Sequence, residues 1–255
     1  MSFIKNSLVV LLVLYFTACA LQTNDKSSEK SEKFAFSFSE KYIGLEKNRT
    51  FQWLGIPYAQ APVGSLRWKA PRSLENENYQ VKAIEFSNPC PQVESISIDK
   101  KGEGEFLGSE DCLFLNIFAP KNISSDKKLP VMFWIHGGGN TSGEAGSYDF
   151  SKLAVAHDLV IVSINYRLGF LGWFYHPSFA ATSNDQGDKS GNFGTLDQIM
   201  ALKWVRKNIE DFGGDKNNVT IFGESAGGHK VISLLSSPLS KGLFHKAISQ
   251  RGATN

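Results

Sequence analysis

The chain has 255 residues, of which 20% are charged and 42% hydrophobic, and its formal net charge at pH 7 is +2. A chain of this length and composition can bury the core of one ordinary α/β domain. Acidic and basic residues are interspersed, which excludes the basic surface of a nucleic-acid-binding protein and gives no sign of an acidic partner.

The first residues predict a targeting segment that is separate from the folded part. Lys5 precedes an apolar run at residues 8–16, which is long enough for the core of a signal peptide and short for a membrane span. Small residues then lead to Cys19, an arrangement that resembles the bacterial lipobox. We expect residues 1–18 to be a lipoprotein-type signal peptide and Cys19 to carry the lipid, with a plain cleaved secretory signal as the alternative.

The residues that follow are polar and rich in Ser, Glu and Lys, which predicts a flexible tether over residues 19–33. Ala20 follows the cysteine in place of aspartate, which by the sorting pattern of bacterial lipoproteins favours the outer membrane. We therefore expect an exported protein, at the outer membrane, in the periplasm or on the cell surface, that meets the membrane only through its lipid. The sequence does not determine the oligomeric state.

Apolar runs after the tether predict a series of strands. Phenylalanine alternates with small residues at Phe34, Phe36 and Phe38, as in a half-buried edge strand. Several later runs are continuous, as in strands that are covered on both faces. The further predicted strands are 113–118, 131–135, 159–164, 219–222 and 247–249.

Residues 195–211 are predicted to form a helix, because apolar residues recur there at helical spacing and glycines follow at 213 and 214. Strands that alternate with helices predict an α/β fold with a largely parallel sheet. The site of such a protein lies at the carboxyl ends of the strands.

The run GESAG at residues 223–227 comes directly after the predicted strand 219–222. This is the G-x-S-x-G pattern, in which a strand turns sharply into a helix and exposes a serine nucleophile at the turn, here Ser225. The flanking glycines are needed because side chains there would collide with neighbouring backbone. The alternative is a glycine-rich turn that happens to contain a serine.

The run HGGG at residues 136–139 also comes directly after a predicted strand. Acyl transfer places negative charge on the carbonyl oxygen, and that charge needs preorganised hydrogen-bond donors. We expect the backbone N–H groups of Gly138 and Gly139, with that of Ala226, to form an oxyanion hole. A flexible glycine turn is the alternative.

Further segments carry a specific resemblance to a known family. They are GIPYA at 55–59, RW at 67–68, EDCLFLNI at 110–117, NYRLG at 165–169 and GNFGTLDQ at 191–198. With the two glycine motifs, residues 34–255 resemble the N-terminal part of a type B carboxylesterase, the family of cholinesterases and related lipases. The resemblance implies an α/β-hydrolase fold with a mostly parallel central sheet, incomplete at its C-terminus. It also implies hydrolysis of a small-molecule carboxylic ester through a serine acyl-enzyme, without a cofactor or metal.

The resemblance also implies one disulfide. In the family, the cysteine of the segment that resembles EDCL pairs with an upstream cysteine, which here makes Cys112 the partner of Cys90. An exported protein meets an oxidising compartment in which such a bond persists. Two buried free thiols are the alternative.

Two ion pairs are implied in the same way, and both belong to the framework of the fold rather than to catalysis. Arg67 is expected to pair with Glu110, and Arg167 with Asp197. Four separately solvated charges are the alternative.

The remaining members of a catalytic triad have no candidates in this chain. In this fold the acid and the histidine follow the serine, yet no Asp or Glu occurs after Ser225. His229 and His245 do follow it, and we interpret both as structural. We therefore expect the N-terminal half of a longer ester hydrolase, inactive on its own. The alternatives are a catalytically silent cholinesterase-like binding module, or an amidase, thioesterase or lactonase on the same scaffold.

Overall fold

The computed structural model describes residues 34–35, 41–75, 80–93, 106–123 and 127–252. The predicted signal peptide (1–18), the lipidation site Cys19 and the predicted tether (19–33) lie outside these residues, so they remain predictions. No helix within the described ranges combines the length and the apolar character that a membrane span requires.

The described residues form a large mixed sheet and a separate two-stranded ladder. The large sheet has the order β1-β2-β3-β7-β9-β8-β10-β11, and β4 pairs with β2 outside this path. The small ladder joins β5 and β6. The strands are β1 (Phe34–Ala35), β2 (Tyr42–Lys47), β3 (Thr50–Pro57), β4 (Val81–Lys82), β5 (Gln92–Val93), β6 (Phe106–Leu107), β7 (Phe114–Pro120), β8 (Leu129–Ile135), β9 (Val160–Ile164), β10 (Gly214–Glu224) and β11 (Lys246–Gln250).

The two halves of the sheet differ in strand direction. Neighbours from β1 to β9 along this order are antiparallel, whereas β9, β8, β10 and β11 run parallel to one another. The parallel half contains the strands that lead into both glycine motifs. Because Ile135 at the end of β8 pairs with Gly223 near the end of β10, both motifs leave the sheet at the same edge.

Helices connect these strands. The α-helices are α1 (Ser151–His157), α2 (Gly169–Gly172), α3 (Pro177–Ala181), α4 (Phe193–Asn208) and α5 (Ala226–Ser236). The predicted helix 195–211 corresponds to α4 and a 3₁₀ turn, Ile209–Phe212, that continues it. Gly213 ends this turn with a φ of 80°, in the left-handed region that glycine adopts without strain.

Apolar side chains cover both faces of the sheet. Along β8, Val131, Phe133 and Ile135 belong to the larger core, which includes residues of α4 and α5. Trp134 points to the opposite face, where the smaller core includes Ala154 of α1. A sheet with helices on both faces explains why β8 is a continuous apolar run in the sequence and why β9 is apolar except for Ser163. The predicted α/β architecture is confirmed.

Candidate active site

Ser225 lies at a strained turn between β10 and α5. Its φ is 57° and its ψ is −122°, a conformation that non-glycine residues adopt rarely and at a cost of about 1–3 kcal/mol. Two backbone hydrogen bonds hold it there: Ser225 N donates to Gln250 O over 2.9 Å, and His229 N donates to Ser225 O over 3.1 Å. The neighbouring strand and the first turn of α5 therefore fix this backbone from both sides.

The glycines of GESAG are required by close backbone contacts. A Cβ at Gly223 would lie 2.6 Å from the carbonyl carbon of Gly227 and 2.8 Å from Ile135 O. A Cβ at Gly227 would overlap Ile135 O and lie 2.8 Å from His136 O. Glycine at both positions lets α5 begin directly against the end of β8. These close contacts are the steric requirement for glycine that the G-x-S-x-G motif predicted.

The HGGG loop lies beside the serine. A Cβ built on Gly137 would be 3.2 Å from Ser225 Cβ and 2.8 Å from Glu224 O. The two motifs are about 90 residues apart in the sequence, but adjacent parallel strands bring them into contact. The candidate nucleophile and the candidate oxyanion loop thus occupy one site at the carboxyl ends of β8 and β10.

Hydrogen bonds to carbonyl groups set the directions of the loop's N–H groups. A trans peptide holds its C=O and N–H antiparallel, and no cis peptide occurs among the described residues. Gly137 O accepts from His136 Nδ1 over 2.8 Å, and this directs Gly138 N–H the other way. Gly138 O accepts from the backbone N–H groups of Thr141 and Ser142, both over 3.0 Å. The N–H of Gly139, in the same peptide as this carbonyl, therefore points away from these two residues.

The N–H groups of Gly138 and Gly139 donate to no acceptor in the part of the chain that the structure describes. Ala226 N–H lies at the first position of α5, where a helix leaves its N–H groups without intrahelical partners. All three predicted oxyanion donors therefore remain available to a ligand.

His136 supports the loop as a neutral imidazole. Its side chain is 1% exposed and stacks on Tyr166 with ring centroids 4.3 Å apart. Burial lowers the pKa of His136 from 6.5 to about 4, although the hydrogen bond to Gly137 acts in the opposite direction. Because a carbonyl oxygen can only accept, Nδ1 carries the proton. The other ring nitrogen, Nε2, is the basic atom of this tautomer. It is buried and has no hydrogen-bond partner among the described residues, so no hydrogen bond joins it to the Ser225 hydroxyl.

Glu224 and Arg251 place opposite charges next to Ser225. Arg251 Nη1 lies 3.6 Å from Glu224 Oε1, and the Arg251 side chain is 86% exposed. The other carboxylate oxygen of Glu224 would lie 3.3 Å from a Cβ on Gly137. Burial, and then the negative charge of Glu224, raise the pKa of Tyr148. The carboxylate of Glu224 is thus part of the electrostatic environment of the site.

The two histidines after Ser225 do not lie where a general base for the serine hydroxyl would be expected. His245 Nδ1 accepts from Val219 N over 3.1 Å, midway along β10. Val219 and Ser225 are separated by roughly 20 Å of extended strand. His229 lies in the first turn of α5, and its side chain is exposed.

The framework residues are joined as follows. Cys90 and Cys112 form a disulfide. Arg167 and Asp197, 3% and 0% exposed, form a buried ion pair in which Nη2 lies 2.7 Å from Oδ1. Arg67 Nη2 lies 2.5 Å from Glu110 Oε1, at a more exposed position.

The structure also contains a buried carboxylate that the sequence reasoning did not identify. Asp188 is 3% exposed and accepts from Ala70 N and Arg72 Nη2, both over 2.8 Å, and from Ser183 Oγ over 2.7 Å. Burial alone would raise the pKa of Asp188, but these hydrogen bonds outweigh it and lower that pKa. This carboxylate ties the loop after residue 69 to the loop before α4, and no local sequence pattern marks it.

Comparison with known proteins decides the family. A model of the carboxylesterase family matches residues 40–255. The chain belongs to the carboxylesterase family. The para-nitrobenzyl esterase of Bacillus subtilis (strain 168) is 46% identical to it over 217 residues, which are 84% of this chain and 42% of that protein. Liver carboxylesterase B-1 of Rattus norvegicus is 38% identical over 251 residues, 95% of this chain and 43% of that protein.

Solved carboxylesterase structures share the fold. A thermophilic PNB esterase matches with a TM-score of 0.75 and 43% identity, over 86% of this chain and 44% of the other. A Geobacillus stearothermophilus carboxylesterase matches with a TM-score of 0.69 and 38% identity, over 81% and 41%. The fold is therefore that of an α/β-hydrolase, as predicted. The chain spans less than half the length of these relatives.

Proposed function

We propose that this chain carries the nucleophile and the oxyanion hole of a serine carboxylesterase that acts on small-molecule esters. The observation that carries this proposal is the contact between Gly137 and Ser225, with a 3.2 Å separation between a Cβ on the glycine and the serine Cβ. Ser225 is held in a costly backbone conformation, and beside it lies a loop in which two N–H groups have no acceptor among the described residues. Strain of this kind persists where function requires it.

In the proposed reaction, the Ser225 Oγ lone pair attacks the ester carbonyl carbon while a general base removes the hydroxyl proton. The C=O electron pair moves to the oxygen, and Gly138, Gly139 and Ala226 N–H groups stabilise the resulting charge. Collapse of this intermediate re-forms the carbonyl and breaks the bond to the alcohol, which leaves with the proton. Water then hydrolyses the acyl-serine by the same steps and releases the carboxylic acid.

We propose that the base and its acidic partner come from sequence beyond these 255 residues, because no carboxylate follows Ser225 in the chain. Without a base, a serine hydroxyl is a weak nucleophile at neutral pH. The 255-residue chain alone is therefore expected to give no turnover. The additional length of the curated relatives, of which this chain covers 38–45%, is where such residues would lie.

The test uses para-nitrophenyl acetate with the 255-residue chain and with a fusion. In the fusion, the rest of the Bacillus subtilis para-nitrobenzyl esterase follows this chain at the aligned position. We expect turnover by the fusion only, and a loss of about 10⁴-fold or more in the Ser225→Ala fusion. Equal turnover with and without Ser225 overturns the proposal. A folded fusion without turnover favours a catalytically silent binding module, and Ser225-dependent turnover by the chain alone contradicts the external base.

We also propose that the protein is exported and anchored through a lipid on Cys19. The disulfide between Cys90 and Cys112 supports export, because such bonds persist in oxidising compartments. Labelled palmitate should be incorporated in a bacterial host, and Cys19→Ala should abolish the incorporation and release the protein from membranes. Incorporation into Cys19→Ala, or none into the wild type, contradicts the anchor.

A further inference from the structure

The side chain of Gln92 bonds to the backbone of Gly143 in both directions. Gln92 Nε2 donates to Gly143 O over 3.0 Å, and Gly143 N donates to Gln92 Oε1 over 2.8 Å. Gln92 Nε2 also donates to Cys90 O over 3.1 Å. A primary amide that satisfies the N–H and the C=O of one residue fixes the position and the orientation of that residue.

Gly143 in turn lies against the support of the oxyanion loop. Its φ is 108°, and a Cβ there would lie 2.5 Å from His136 Nδ1 and 2.8 Å from Gly137 O. These are the donor and the acceptor of the hydrogen bond that directs Gly138 N–H. Gly143 therefore packs directly on the bond that sets the direction of one predicted oxyanion donor.

We propose that Gln92 is a positioning residue for the oxyanion hole, which rests on the function proposed above. It fixes Gly143, Gly143 restrains the His136 ring and the Gly137 carbonyl, and the planar peptide passes this restraint to Gly138 N–H. The hydrogen bonds of the Gln92 side chain within the described residues go to Cys90 and Gly143, not to Ser225. Gln92 acts through the loop alone.

The disulfide restrains the backbone next to Gln92. Cys90, two residues before Gln92, is bonded to Cys112, and both cysteines are buried at 1% and 0% exposure. Gln92 also pairs with Leu107 across the β5–β6 ladder. The side chain therefore connects a covalently closed loop to the HGGG loop.

The test is Gln92→Met, which keeps the length and volume of the side chain and removes its hydrogen bonds. Gln60→Met is the matched control, because Gln60 Nε2 also bonds to loop backbone, at Ser73 O over 2.7 Å, away from the HGGG loop. In the ¹⁵N-labelled 255-residue chain, Gln92→Met should raise the hydrogen-exchange rate of Gly143 N–H. It should also lower the order parameter of Gly138 from about 0.85 to below about 0.6.

In the fusion described above, Gln92→Met should lower kcat by about tenfold to a hundredfold with KM nearly unchanged, because a displaced donor weakens only transition-state binding. Gln60→Met should leave kcat, KM and the Gly138 order parameter unchanged. Thermal unfolding of both variants detects a general loss of stability. Changes in kcat and KM together in Gln92→Met, in place of a change in kcat alone, contradict the positioning role.

The two proposals fail in different ways. An unchanged Gly138 order parameter in Gln92→Met overturns the positioning role whether or not the fusion is active. An unchanged kcat in an active Gln92→Met fusion overturns it too, while the esterase proposal stands. If the wild-type fusion is inactive, the esterase proposal is refuted. If Gly138 is nevertheless mobile in Gln92→Met, the proposal that Gln92 restrains the loop still holds.

Discussion

Arg167 and Asp197 form a two-point ion pair in the protein interior: Nε lies 2.8 Å from Oδ2, and Nη2 lies 2.7 Å from Oδ1. The backbone N–H of Arg167 donates to the same carboxylate over 3.0 Å. The pair connects the chain after β9 to the second turn of α4. Arg167 Nη1 also donates to Lys69 O over 2.8 Å, so the guanidinium and the carboxylate are both occupied by contacts of the framework.

Asp197→Asn should destabilise the 255-residue chain by about 3–5 kcal/mol, because it leaves the Arg167 guanidinium buried without a counter-charge. Urea unfolding followed by tryptophan fluorescence measures the loss. Glu110→Gln is the control, since the Arg67 side chain is 42% exposed and water can solvate it after the change. A loss for Glu110→Gln as large as that for Asp197→Asn contradicts the argument from burial.

The sequence was most informative where local pattern and chemistry coincide. The strands before HGGG and GESAG are apolar runs that end in glycine motifs, and both are strands in the structure. The end of α4 was harder to predict, because Ile209 and Phe212 continue the apolar spacing while the backbone has already tightened into a 3₁₀ turn. Contacts across long sequence separations leave no local signal.

Gln92 and Asp188 illustrate that limit within the site and its surroundings. Gln92 meets Gly143 across 51 residues, and Asp188 meets Arg72 across 116. Gln92 lies in a strand of two residues and Asp188 in an irregular segment, and in neither place does periodicity or spacing distinguish the residue from a solvated side chain. The fold brings its partners to it, and only the structure reveals them.

Gly227→Ala should destabilise the chain by about 1–3 kcal/mol, because the new methyl group overlaps backbone atoms that cannot rotate away. The turn at Ser225 must then move away from the end of β8. Gly146→Ala is the control: its methyl group would lie 3.3 Å from the ring of Phe86, whose side chain is 44% exposed and can move. We expect a change within about 0.5 kcal/mol for Gly146→Ala. Equal losses in the two variants argue against the steric account of the turn.

Removal of the disulfide should lower stability by about 3 kcal/mol on the chain-entropy account, for a bridge that spans 22 residues. The double variant Cys90→Ala/Cys112→Ala should therefore unfold at lower urea concentration than the wild type. Addition of a reducing agent should destabilise the wild type and leave the double variant unaffected. A double variant as stable as the wild type contradicts the prediction.

His136 should make stability depend on pH in a defined window. Its pKa is about 4 in the folded protein and 6.5 as the ordinary value. Between these values the unfolded chain binds a proton that the folded chain does not, so stability falls as pH falls from about 6.5 to about 4. The full effect amounts to about 3 kcal/mol. Asp149 and Asp188, whose pKa values are lowered from 3.8, titrate below this window.

The measurement is the free energy of unfolding in urea between pH 7 and pH 4.5, in the wild type and in His136→Phe. The phenyl ring retains an aromatic surface for Tyr166 but cannot titrate. We expect the variant to be less stable at pH 7, because Gly137 O loses its donor, and to lack most of the wild-type slope. If the slope is the same in both proteins, the pH dependence arises from other groups, and the interpretation of His136 as a neutral, buried donor is wrong.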